Sequence, residues 1–151
     1  MPIIELTSDD ALVVENYGLH WAEMGIVAAD VRGDWRSEAH RFVADARKNS
    51  GLAAFIANVQ GGPAGTACCH IVSRAFLAFR KTDATRLGYL WGVYVLPEHR
   101  GRGIGGMLVS AGMAHLKSIG CGRVLLHSSE RSAALYAGMG FTPTNELSAM
   151  L

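Results

Sequence analysis

Apolar and aromatic side chains return at Leu12, Val13, Tyr17, His20, Trp21 and Met24, a spacing that predicts a helix near the start of the chain. Thr7 or Ser8 can cap it, Asp9 and Asp10 suit the positive end of its dipole, and Gly25 supplies a stop. A short strand over 3–6 precedes this helix, and a second helix is expected over 35–48, ending near Gly51. The pattern then changes to strands. Residues 52–59 and 65–73 are two apolar runs joined by Gln60-Gly61-Gly62-Pro63, which reads as a hairpin. Residues 74–86 are mixed and basic and read as a longer connection. Residues 89–96 form a strand rich in aromatic and β-branched residues, stopped by Pro97, which has no donor for a ladder. Ile104, Met107, Leu108, Ala111 and His115 make an apolar stripe on a helix over 103–119, closed by Gly120. A strand over 124–128, a short helix over 131–137 and a final extended segment over 141–151 complete the order.

No repeat, low-complexity tract or linker interrupts this α/β order, so residues 1–151 read as one domain. Half the residues are hydrophobic, enough for a core in a chain of 151 residues. The formal net charge is +1, and no basic face is present to attract nucleic acid. No run approaches the roughly 18 apolar residues of a membrane helix, and Met1-Pro2-Ile3-Ile4-Glu5 lacks the basic start and apolar stretch of a signal peptide. The three cysteines, Cys68, Cys69 and Cys121, suit reduced thiols and a cytoplasmic location. Adjacent on a strand, Cys68 and Cys69 point to opposite faces and cannot jointly grip a metal; no metal is expected.

The chemistry lies in Val93-Tyr94-Val95-Leu96-Pro97-Glu98-His99-Arg100-Gly101-Arg102-Gly103-Ile104-Gly105. A strand ends, a loop of arginine and glycine follows, and a helix begins. The first turn of a helix carries backbone N–H groups without intrahelical partners, at the positive end of the dipole, and such a place binds phosphate. Arg100 and Arg102 add forked donors. A Walker loop fails because Gly106-Met107 stands where Lys-Ser/Thr is required. A dinucleotide fingerprint is formally present as Gly101, Gly103 and Gly106, with Glu130 downstream. However, four residues, Pro97 to Arg100, separate strand from first glycine, and the 45 residues after Gly106 are too few for the rest of that fold.

The pattern R/Q-x-x-G-x-G/A of a coenzyme A pyrophosphate loop fits Arg100-Gly101-Arg102-Gly103-Ile104-Gly105. Downstream, Ser128-Ser129-Glu130-Arg131-Ser132-Ala133-Ala134-Leu135-Tyr136-Ala137-Gly138-Met139-Gly140-Phe141 resembles a later motif that ends in A-x-x-L-Y-x-x-x-G-F. Together these motifs resemble the GCN5-related N-acetyltransferase (GNAT) superfamily over residues 88–147. The resemblance implies a mixed, mostly antiparallel central sheet of six to seven strands flanked by about four helices. It implies acetyl-CoA as co-substrate, with the pantetheine arm lying in a gap between the fourth and fifth strands and pairing with the backbone of Val93, Tyr94 and Val95. One of those N–H groups would polarise the thioester carbonyl, a term worth about 3 kcal/mol per donor. Arg100, Gly101, Arg102, Gly103, Ile104 and Gly105 would hold the pyrophosphate. Ser129 stands where many members carry a cofactor-contacting Asn. Tyr136 would protonate the departing thiolate, as the catalytic acid; its bland alternative is a packed aromatic.

Some relatives use a glutamate on the fourth strand as base, but Tyr89 and Trp91 occupy that stretch here. At pH 7 roughly one α-amino group in seven is neutral, against well under one lysine side chain in a thousand, so a low-pKa amine could react through a water relay. His127, Glu130, His70 and Glu23 are the other candidates. Tyr17, Trp21 and Glu23 are candidates for the acceptor pocket, although the first reading of Tyr17, His20, Trp21 and Met24 is a core stripe. Phe76 and Phe79 are candidate covers. The expected function is acetyl transfer from acetyl-CoA to a primary amine of a small molecule. Acetylation of protein N-termini or lysines, and a non-catalytic acyl-CoA sensor, are the rivals. The apolar end, 147–151, makes a homodimer through an exposed edge an open expectation.

Overall fold

The computed structural model describes residues 1–73 and 86–151. The chain runs β1 (Ile3–Thr7), α1 (Asp10–Glu23), α2 (Trp35–Asn49), β2 (Ala53–Val59), β3 (Gly62–Val72), β4 (Leu87–Val95), α3 (Ile104–Ser118), β5 (Arg123–Leu125) and α4 (Ala133–Gly138). Short 3-10 turns stand at Ala28–Asp30, Pro97–His99 and Glu130–Ser132. The five strands lie in sequence order, antiparallel from β1 to β4, with β5 parallel to β4. This is the expected mixed, mostly antiparallel sheet with four helices. The strand number differs: five among the described residues, not six to seven.

The final segment accounts for part of that difference. The Phe141 N–H bonds back to Tyr136 O at 3.0 Å, closing α4, and Pro143 removes a ladder donor. Beyond it no partner strand satisfies the backbone among the described residues, and Leu147, Met150 and Leu151 stand exposed. The strand expected over 124–128 also stops early, at Leu125.

Period-2 alternation sorts the sheet's side chains onto two faces. Ala53, Phe55, Ala57 and Cys69 join Leu108, Val109 and Leu116 of α3 on one side. Ala54 and Cys68 join Val13 of α1 and Val43 and Ala46 of α2 on the other. The two adjacent cysteines thus do face opposite ways, each in its own core cluster. Asn16, buried on α1, donates from Nδ2 to Thr66 Oγ1 of β3 at 3.1 Å, pinning the helix to the sheet. Arg47 of α2 bonds both Asp10 and the Thr7 carbonyl, joining α2 to the start of α1.

Small residues in the central strands keep these layers close. At Gly65 a Cβ would lie 2.5 Å from the Tyr94 carbonyl oxygen, a backbone atom that cannot step aside. Gly65→Ala should therefore cost about 2 kcal/mol in urea unfolding. Gly138→Ala, where a Cβ meets nothing within 4 Å, should leave stability unchanged or raise it by up to about 1 kcal/mol.

Candidate active site

β4 outlasts its neighbour. It pairs with β3 from Leu87 to Val95 except at Gly92 and Val93, but with β5 only at Leu87, Gly88 and Tyr89. Residues 90–95 therefore present a backbone edge with no strand partner among the described residues. A bulge interrupts this stretch: Thr66 pairs with Tyr94 and Cys68 with Trp91, so three steps on β4 match two on β3. Gly92 sits there at φ +61°, a left-handed conformation that costs other residues about 1–2 kcal/mol. Past the bulge, Val93 and Val95 pack against the α3-side core. Tyr94 turns to α1, where its ring meets His20.

From β4 the chain passes through the Pro97–His99 turn into the glycine loop and α3. Gly103 is the α3 N-cap, with no side-chain cap and no acidic residue in the first turn. The first helical bond is from Met107 N to Gly103 O, so the N–H groups ahead of it are left open. Leu135 of α4 lies over Gly105 and Gly106, 3.6 Å from where a Cβ would stand on either. The two arginines behave differently. Arg102 is exposed and makes no ion pair among the described residues. Arg100 donates from Nε to Val95 O at 2.9 Å and from Nη2 to Glu23 Oε1 at 2.7 Å, with its guanidinium 5.5 Å from the centre of the Tyr94 ring.

Glu23, which the sequence suggested for the acceptor pocket, is thus tied to the loop through Arg100. Tyr94 Oη donates to it at 3.3 Å and Arg131 approaches at 3.5 Å. The hydrogen bond from Arg100 holds the Glu23 carboxyl below its ordinary pKa. Ser129 begins the Glu130–Ser132 turn, its hydroxyl 3.0 Å from that of Ser132. Tyr136 is 8% exposed and stacks edge-on with Phe141 at 5.6 Å between centroids. Its hydroxyl has no hydrogen-bond partner among the described residues, and burial pushes its pKa up, so the phenol keeps its proton at neutral pH.

On the opposite face, α1, α2 and the β3–β4 pair enclose a cleft of about 570 Å³. Tyr17 and Trp21 line it, as does Trp91, whose indole N–H donates to His70 Nδ1 at 3.0 Å. An indole only donates, so His70 Nδ1 is the acceptor and the neutral ring carries its proton on Nε2. Burial lowers the His70 pKa and favours that neutral form. Tyr89 also lines the cleft, and its hydroxyl lies 2.6 Å from Nδ1 of the exposed His127. Tyr17 touches both parts of the site, since a Cβ on Gly92 of the bulge would lie 3.6 Å from Tyr17 Cδ2.

A family model described as Acetyltransferase (GNAT) family matches residues 16–141. The chain belongs to that family. Among solved structures, this GNAT chain is similar to a GCN5-related N-acetyltransferase from Ralstonia eutropha, at 22% identity and TM-score 0.84, over 100% of this chain and 99% of that one. It is also similar to a predicted acetyltransferase from Clostridium acetobutylicum, solved with acetyl-CoA, at 22% identity and TM-score 0.86, over 100% and 96%. At these identities the likeness is one of fold. A mycothiol acetyltransferase of Thermobispora bispora is 44% identical over 59 residues, which is 37% of this chain and only 20% of that protein. Acetyl-CoA is the acyl donor of the GNAT family.

No helix among the described residues of this GNAT member is long and apolar enough to cross a membrane. Phe76 and Phe79, the candidate covers, lie outside the described residues. Trp35, Phe42 and Trp91 join Tyr17 and Trp21 in the cleft, and the sequence reading did not single them out for it. The signal for Trp91 was available: Tyr89 and Trp91, two apart on a strand, share a face.

His20 and His70 both have lowered pKa values, with burial the leading cause. As pH falls through about 6.5 the unfolded chain takes up these protons before the folded one. Stability present at neutral pH is then lost on the acid side. Urea unfolding should show lower stability at pH 5.5 than at pH 7.5, and His70→Gln should shrink that difference.

Proposed function

We propose that this GNAT chain, as one domain over residues 1–151, transfers the acetyl group of acetyl-CoA to a primary amine of a small molecule by direct attack. The observation that carries the reading is the unpaired edge of β4 running directly into the uncapped N-terminus of α3. The open edge suits an extended amide-bearing arm, which would complete the ladder as another strand does. The bare N–H groups of the α3 first turn suit a pyrophosphate, with Arg102 open beside them. When bound there, acetyl-CoA supplies a thioester whose carbonyl an amine can attack.

The chain's own groups take the remaining tasks. The backbone of Val93, Tyr94 and Val95 would hold the arm, and an N–H of this stretch would polarise the thioester carbonyl. Residues Arg100 to Gly105 hold the pyrophosphate, and Ser129 borders it. Tyr136 Oη keeps a proton for the departing sulfur, supported by its burial and its lack of any other partner. On the acceptor side, Tyr89 Oη takes the amine's proton while passing its own to His127 Nδ1, and His127 is exposed and returns it to water. Tyr17 and Trp21 contact the acceptor; Glu23 acts on the loop through Arg100. The setting is the cytoplasm, supported by three unpaired cysteines.

Calorimetric titration should show micromolar binding of acetyl-CoA and none of NAD, with acetyl-CoA binding abolished by Gly103→Glu. Absence of acetyl-CoA binding would overturn the reading. In steady-state assays, Tyr136→Phe should slow turnover about tenfold without abolishing it, because a thiol of pKa ~8.5 leaves well unaided. Tyr89→Phe should lower kcat/KM for the amine roughly 100-fold, leaving acetyl-CoA affinity intact. Unchanged kcat/KM would remove Tyr89 from the proton path.

A further inference from the structure

All three tryptophans of the chain, Trp21, Trp35 and Trp91, converge on the cleft between α1, α2 and the sheet. Tyr17, Phe42 and Tyr89 complete a lining of six aromatic rings. The rings are packed against one another: Tyr17 lies 4.5 Å from Trp21 and 5.0 Å from Trp91, Trp21 lies 5.7 Å from Trp35, and Phe42 lies 5.7 Å from Trp91, between ring centroids. A core would bury such rings. Here Phe42 is 49% exposed and the other five are only half-buried.

The polar groups of the cleft are mostly spent on each other. Trp91 Nε1 and His70 Nδ1 satisfy one another, and Tyr89 Oη is engaged with His127. Arg32 is held in a two-pronged bond by Asp34, at 2.9 and 2.8 Å. Glu38 is paired with Arg41 at 2.9 Å. That leaves Asp30, exposed at the cleft and in no ion pair among the described residues, as the unbalanced charge. A hydroxyl-rich acceptor would leave its own groups without partners in such a wall, at a cost of about 1–3 kcal/mol for each. An ammonium on a flat apolar body meets the opposite situation. Its body covers rings, and its charge lies over their electron-rich faces and near a carboxylate.

We infer that the acceptor of this cleft is a primary amine borne on an aromatic body, an arylalkylamine in chemical class. The inference rests on the acetyl-transfer reading above for its reaction, but not for its binding. The cleft's volume of about 570 Å³ falls within the range of small-molecule sites. Such an amine arrives protonated at neutral pH, and Tyr89, in the same wall, is the group to which it gives up that proton.

The test uses the full chain with 2-phenylethylamine and tryptamine, against glucosamine and a short peptide with a free N-terminus. Thiol release from acetyl-CoA gives kcat/KM, and quenching of tryptophan fluorescence gives amine binding without acetyl-CoA. The arylalkylamines should exceed glucosamine and the peptide at least tenfold in kcat/KM, and 2-phenylethylamine, which has no indole, should quench the fluorescence. Phe42→Ala, at a half-exposed position that folding tolerates, should raise KM for 2-phenylethylamine at least fivefold, with calorimetric acetyl-CoA affinity unchanged. Trp35→Ala should do the same. Faster turnover of glucosamine or of the peptide, or an unchanged KM in Phe42→Ala, overturns the inference. Amine quenching without acetyl-CoA binding would sink the transfer reading and leave the aromatic site standing. Acetyl-CoA binding without amine quenching would do the reverse.

Discussion

A backbone that leaves its sheet partner behind must find other partners for its N–H and C=O groups. β4 is in that position from residue 90 onward, because β5 follows it for only three residues. The rest of the candidate site is arranged around this deficit. The bulge at Gly92 turns the unpaired stretch, the glycine loop leads from its end, and α3 starts with its own unpaired donors. An extended ligand with a phosphate terminus meets both deficits at once. Water meets them too, but without the geometry that aligns a reacting carbonyl.

The two faces of the sheet divide the work. On the α3 side, Leu108, Val109 and Leu116 close against small residues of the strands, and Tyr136 is packed within the same cluster. That side is buried and apolar, which suits the proton-donor role proposed for Tyr136. On the other side α1 and α2 stand away from the sheet far enough to leave a cleft. Tyr17 belongs to that cleft and also rests against the bulge, so the two halves meet at one ring.

Much of this was legible in the chain. The hairpin, the strand stopped by Pro97, the helix opened by Gly103 and the opposed faces of Cys68 and Cys69 all follow from local chemistry. The open helix start behind the glycine loop was legible because Gly103 offers no side-chain cap. Long-range convergence was not. Trp21, Trp35 and Trp91 belong to three different elements, and no periodicity within one element announces that they meet. Glu23 was read as a candidate for the acceptor pocket. Its partner is Arg100, 77 positions away, and only the packing of α1 across the end of β4 brings them together. The tail over 141–151 was read as extended because its residues allow it. A strand also needs a neighbour, which local sequence does not specify.

Glu23 closes α1, the helix that carries Tyr17 and Trp21, and its carboxylate is held by Arg100 of the glycine loop. An anion arriving at the loop would compete with Glu23 for that guanidinium, at the end of α1. Thermodynamic reciprocity then applies: a molecule in the cleft that favours one position of α1 alters the loop's affinity for anions by the same factor. Through that ion pair, an anion that displaced Glu23 would tie the affinity of the loop to the occupancy of the cleft.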